Sequence, residues 1–109
     1  MTRISRLLAR IGITAAAVTI PLVFGPLRQD PWDLVAQCES GGNWDTNTGN
    51  GYYGGLQFSP ETWTSYGGGT YATTANRATR SQQIAIAEKV LRAQGWNAWP
   101  TCSKRVGVG

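Results

Sequence analysis

Cys38 and Cys102 are the only cysteines of the chain, and they stand near opposite ends of its foldable part. In an exported chain an even cysteine count favours a disulfide. Closing so long a loop stabilises by about 4 kcal/mol in the chain-entropy model. That is a large share of what a core of about 80 residues can hold. Two free thiols are the alternative, so export decides between them. Arg3, Arg6 and Arg10 precede an uncharged, mostly apolar stretch over residues 11–24. That is the layout of a secretory signal peptide, and the stretch is short for a membrane span, which takes about 20 apolar residues. Ala15-Ala16-Ala17 lies inside the run, and Val23-Phe24-Gly25 is followed by Pro26. No good cleavage site stands out, so an uncleaved membrane anchor is the competing reading.

The 109 residues suffice for one domain. Residues 1–29 read as leader and linker, 30–102 as the folded domain, and 103–109 as a flexible tail. The formal charge of +4 belongs to the leader side, to Arg3, Arg6, Arg10 and Arg28. From residue 29 onward Arg77, Arg80, Lys89, Arg92, Lys104 and Arg105 balance Asp30, Asp33, Glu39, Asp45, Glu61 and Glu88. A nucleic-acid partner would want a basic face on the folded part, and none is legible.

Asp30 as N-cap, Pro31 at the first helical position and Asp33 in the first turn predict a helix ending near Glu39-Ser40. Leu34, Val35 and Cys38 share one of its faces, and Gly41-Gly42 stop it. Residues 43–58 are rich in Gly, Asn, Thr and Tyr, which predicts turns and short strands. Thr48-Gly49-Asn50-Gly51 is the best turn signal, with Asn50-Gly51 suited to positive φ. Ser59-Pro60-Glu61 starts a second helix reaching about Tyr66, stopped by Gly67-Gly68-Gly69. The clearest helix covers 80–94, with Thr79 and Gln82 forming a capping box and Gly95 as its C-cap glycine. Its apolar stripe is Ile84, Ala87, Val90 and Leu91, read as core packing. Residues 96–102 read as irregular. The fold class is α+β and helix-dominated, with a short β-hairpin or turn segment and one disulfide.

The chain contains no histidine, which removes Ser-His-Asp triads, Cys-His pairs and most zinc sites. No glycine-rich loop carries a phosphate-binding lysine. The residues therefore imply no metal and no cofactor. Carboxylate chemistry and aromatic or amide recognition remain. Cys38-Glu39-Ser40-Gly41-Gly42-Asn43-Trp44 is the densest candidate. A Glu at a helix C-terminus meets the negative end of the dipole, and a flanking disulfide and Trp would desolvate it. Both effects favour the protonated form that a general acid needs. An ordinary surface Glu is the bland reading. Five tryptophans and four tyrosines are many for so short a chain. Trp32, Trp96 and Trp99 read as core. Trp44, Tyr52, Tyr53 and Trp63 lie in or beside the glycine-rich segment and are cleft candidates, with Asn47, Asn50, Gln57 and Gln94 as amides able to bond sugar hydroxyl and acetamido groups.

The stretch from Trp32-Asp33 to Trp44, the run Asn47-Thr48-Gly49-Asn50-Gly51-Tyr52-Tyr53-Gly54-Gly55-Leu56-Gln57-Phe58, and the closing Ala98-Trp99-Pro100-Thr101-Cys102 resemble the catalytic domain of resuscitation-promoting factors. The three blocks occur in order, and the similarity covers nearly everything over 30–102. The resemblance implies a compact lysozyme-like fold related to lytic transglycosylases, and a secreted peptidoglycan-cleaving activity. It implies Glu39 as the catalytic glutamate of the Cys-Glu-Ser-Gly-Gly motif, a Cys38–Cys102 disulfide, and Thr62 and Gln94 beside the glutamate. Gly55-Leu56-Gln57 is similar to the Gly-Leu-(Met)-Gln element of lytic transglycosylases, which makes Gln57 a substrate contact.

Glu39 is then expected to protonate the glycosidic oxygen between N-acetylmuramic acid and N-acetylglucosamine. A retaining or inverting hydrolase would need a second carboxylate; Asp45 is the candidate, and Glu61 is better explained by its first-turn position. Without one, the muramic 6-hydroxyl closes a 1,6-anhydro ring, and that route is preferred. Expected partners are peptidoglycan glycan strands and, by resemblance, a peptidoglycan endopeptidase, with the protein a monomer. A glycan-binding module without turnover and a structural wall protein are the rival readings.

Overall fold

The computed structural model describes residues 30–109. The leader and linker readings at 1–29 lie outside the described residues. Helix α1, Pro31–Ser40, begins where Asp30 turns extended and its Oδ1 accepts the Trp32 amide at 2.8 Å. Pro31 occupies the first helical position, where its missing N–H costs nothing. The helix stops at Gly41, whose φ of 69° is left-handed and whose amide bonds the Gln37 carbonyl at 3.0 Å.

Helix α2, Pro60–Ser65, opens the same way, with the Ser59 hydroxyl accepting the Thr62 amide at 3.1 Å. Helix α3, Arg80–Gln94, carries the expected capping box between Thr79 and Gln82 and ends at Gly95, with φ of 70°. Short 3₁₀ turns at Gly68–Thr70, Ala75–Arg77 and Gly95–Ala98 fill the connections. Among the described residues the β component is one antiparallel bridge, Tyr53 to Phe58, with both backbone hydrogen bonds at 2.9 Å. The hairpin thus closes around 54–57. At 48–51 the left-handed positions are Gly49 and Gly51 rather than the Asn50-Gly51 pair.

The closing segment departs from expectation. Residues 96–102 are not irregular, because Pro100 nucleates helix α4, Pro100–Arg105. The flexible-tail reading of 103–109 is corrected too: Ser103 is buried, and its carbonyl accepts the Val108 and Gly109 amides at 3.0 and 3.1 Å. Cys38 and Cys102 are joined, with Cα atoms 5.7 Å apart, which ties the end of α1 to α4.

One aromatic chain runs through the core. Trp32 meets Trp99 at 5.0 Å between centroids, Trp99 meets Phe58 at 6.2 Å, and Phe58 meets Trp63 at 5.4 Å. Val35, Leu56, Ile86, Ala87 and Val90 pack around it. Trp32, Trp96 and Trp99 are core residues as expected, Trp96 only partly buried. Two stripes are rotated from the sequence reading. On α1 the buried positions are Trp32, Val35 and Ala36, with Leu34 at the margin. On α3 they are Gln83, Ile86, Ala87 and Val90, with Ile84 and Leu91 half-buried. A purely apolar count misses this face because a hydrogen-bonded glutamine holds its centre. Among the described residues no helix is long and apolar enough to cross a membrane.

Candidate active site

Glu39 stands in the last turn of α1, beside the disulfide that anchors that turn. It faces a groove made of two adjoining hollows of about 290 and 130 Å³. Tyr52, Gln57, Ala98 and Trp99 are common to both hollows, so they form the middle of one continuous cleft. Glu39 and Pro100 close one end; Ser59, Thr62 and Gln94 line the other.

Burial pushes the Glu39 carboxyl above the ordinary carboxylate range. Its place at the negative end of α1 acts in the same direction. Neither ion pair among the described residues involves it. A shift in this direction favours the protonated form that a general acid needs.

Gln57 reaches the groove through an unusual backbone. Its φ of 58° is left-handed, the single such non-glycine value among the described residues. Left-handed strain at a non-glycine residue concentrates at functional sites. Its Nε2 donates to the Gly54 carbonyl at 3.0 Å and its Oε1 accepts from Asn50 at 3.3 Å. Tyr52 stands on the rim, 49% exposed, its amide held by the Asn50 side chain at 3.0 Å. Thr62 sits in the first turn of α2, where its hydroxyl accepts from Ser59 at 3.1 Å. Gln94 ends α3, and its Nε2 donates to the Tyr66 hydroxyl at 3.0 Å.

Five of the sequence candidates therefore converge: Glu39, Tyr52, Gln57, Thr62 and Gln94. Five others do not line the groove, among them Asn50, whose side chain is taken up by Gln57 and the Tyr52 amide. Trp63 is corrected as a direct contact, because it is fully buried and its indole donates to the Ala72 carbonyl at 2.8 Å. Trp44 lies behind the 54–57 loop, packed on Gly55 and under the Arg80 guanidinium at 5.4 Å. Tyr53 is half-buried against the core and contributes its backbone to the bridge. Asn47 is exposed and caps its own turn, accepting the Gly49 amide at 3.3 Å. Asp45 is exposed in the turn after α1, and Glu61 is exposed in the first turn of α2. Neither lines the groove, which leaves Glu39 as its one acid among the described residues.

Trp99, a core residue by its sequence setting, also lines the groove. Its indole donates to the Leu56 carbonyl at 3.0 Å and so braces the loop that carries Gln57. The signal was available: a Cys38–Cys102 bond must bring residues 98–102 beside Glu39.

Residues 27–102 match the family described as "Transglycosylase-like domain". The chain is 55% identical over 98 residues to "Resuscitation-promoting factor Rpf1" of Corynebacterium glutamicum, covering 90% of this chain and 51% of that one. It is 49% identical over 115 residues to "Resuscitation-promoting factor RpfC" of Mycobacterium tuberculosis, covering 99% of this chain and 79% of that one. Over 94 residues it is 45% identical to "Resuscitation-promoting factor Rpf" of Micrococcus luteus, covering 86% and 41%. The chain spans about half the length of the first of these relatives, and 21% of "Resuscitation-promoting factor Rpf2" of C. glutamicum.

Proposed function

Since the chain belongs to the resuscitation-promoting factors, within the transglycosylase-like family, we propose that it cleaves peptidoglycan glycan strands at the bond between N-acetylmuramic acid and N-acetylglucosamine. The observation that carries this reading is the pairing of one raised-pKa carboxyl, Glu39, with a polar and aromatic cleft that holds no other acid among the described residues.

In this reading Glu39 gives its proton to the glycosidic oxygen as the bond to C1 of the muramic residue breaks. A hydrolase of either stereochemistry would place a second carboxylate about 5–9.5 Å away. With none on the groove among the described residues, the positive charge developing at C1 is met by the substrate's own 2-acetamido oxygen. Glu39, now a carboxylate, takes the proton of the muramic 6-hydroxyl, and O6 bonds to C1. The products are a 1,6-anhydro-muramic end and a free hydroxyl on the leaving sugar, and the glutamic acid is restored. Tyr52 offers a face for sugar stacking, and Gln57, Thr62 and Gln94 offer donors and acceptors along the strand.

The same reading has the chain exported by its leader to the cell wall, where Cys38 and Cys102 oxidise. It acts as a monomer, alongside a peptidoglycan endopeptidase that cuts the peptides. Wall remodelling of this kind would promote resuscitation and growth of dormant cells, the role the relatives' names carry.

Glu39→Gln is the direct test. It is expected to lower release of soluble glycan from purified walls by at least about 100-fold, while wall binding in a pull-down stays intact. Equal release from both proteins would remove Glu39 from the chemistry.

A further inference from the structure

Gln83 is a polar side chain sealed inside the molecule, fully buried on the core face of α3. A buried amide is costly unless its hydrogen bonds are met, and here three are. Its Oε1 accepts the Gly55 amide at 2.9 Å, and its Nε2 donates to the Trp44 and Ala78 carbonyls at 2.9 and 3.0 Å. Gln83 does not line the groove.

The Gly55 N–H that Gln83 holds belongs to the same trans peptide unit as the Gly54 carbonyl. In such a unit the two groups point to opposite sides. On the far side, the Gly54 carbonyl accepts both the Gln57 backbone amide at 3.2 Å and the Gln57 side-chain Nε2 at 3.0 Å. One peptide plane therefore has the buried amide on one edge and the groove amide on the other. The plane has little freedom to turn: a Cβ on Gly54 would run into the Gln83 carboxamide, and one on Gly55 into the Trp44 ring. Gln57 needs such support, because a left-handed non-glycine residue persists only where its surroundings hold it.

We infer that Gln83 is a positioning residue of the groove, which fixes the Gln57 carboxamide against the glycan by holding the 54–55 peptide plane. The inference rests on reading the groove as a glycan site. Hydrogen bonds linked through one peptide unit polarise each other, so losing the inner one also weakens the outer ones.

The test uses the full chain carrying Glu39→Gln, so that binding is measured without turnover. The probe is a soluble N-acetylglucosamine oligosaccharide, followed by NMR titration. Adding Gln83→Leu is expected to raise Kd about tenfold, the scale of one well-placed hydrogen bond. On top of Gln57→Ala, the same change is expected to add less than about twofold, because its route to the ligand is gone. An unchanged Kd, or equal losses with and without Gln57, overturns the inference. Should Gln83→Leu not fold, Gln83→Glu replaces it. Protonated, that side chain keeps an acceptor for Gly55 and a donor for one carbonyl; ionised, it repels both carbonyls. Binding that weakens with rising pH only when Gln57 is present supports the inference, and the same pH dependence in both backgrounds overturns it. If the Glu39→Gln parent binds no probe and the native chain cleaves no wall, the groove reading itself falls, and the inference with it.

Discussion

At the scale of single residues, the proton that Glu39 is proposed to donate also enters the stability of the fold. Its carboxyl is held above the ordinary value by burial. Between the unfolded and the folded pKa, the native state keeps a proton that the unfolded chain has released. Stability then falls as pH rises through that window and is flat above it. Glu39→Gln removes the titration. Thermal unfolding of both proteins from about pH 4 to about pH 8, a span around the ordinary carboxylate range, is expected to show the variant's advantage opening as pH rises. A gap that shrinks with pH would mean the native state prefers the carboxylate, contrary to a general acid. The place of Glu39 at the end of a capped helix was legible from Asp30-Pro31 and from Gly41-Gly42, whereas its proposed role as the acid came only with the resemblance of the Cys38-Glu39-Ser40-Gly41-Gly42 motif. The place of Trp63 was not legible, because a tryptophan next to a glycine-rich segment reads the same whether it faces the cleft or, as here, bonds the Ala72 carbonyl from inside the core.

At the scale of elements, the helix starts were legible because Asp30, Ser59 and Thr79 each cap the amides that the sequence assigns to them. The loop over 43–58 was legible only in kind. Its conformation comes from contacts distant in sequence: Gln83 bonds Trp44 and Gly55, and Trp99 bonds Leu56. The face of α3 was misjudged for the same reason, since Gln83 counts as polar until its partners are known. Gly55→Ala should drive its new methyl into the Trp44 ring and cost about 1–3 kcal/mol in denaturant unfolding. Gly69→Ala is the control, with open space at that position and an expected change within about 0.5 kcal/mol. Equal effects at the two glycines would show that Trp44 does not pin the loop.

At the scale of the whole molecule, the disulfide closes a 64-residue span and places the aromatic wall of 98–100 against Glu39. Its contribution is about 4 kcal/mol in the chain-entropy model, which for a domain of this size corresponds to a melting point lower by more than about 10 °C on reduction. Reduction is expected to slow wall cleavage even below the new melting point, because Cys38 adjoins the acid. Full activity in the reduced, folded protein would separate the bridge from the site. The pairing was legible from two cysteines behind a leader-like N-terminus. The ordered end of the chain was not, because α4 depends on packing of Ser103 and on the fold-back of Val108 and Gly109 that residue types alone do not signal.

One carboxyl, acting first as acid and then as base, is proposed to cut the glycan without a second acid. Mass spectrometry of the soluble products from insoluble peptidoglycan tests it most directly, with native protein and Glu39→Gln run side by side. Fragments ending in 1,6-anhydro-muramic acid, present with the native chain and absent with the variant, are the expected result. Reducing-end fragments from the native chain would contradict it, and would require an acid such as Asp45 to reach the groove.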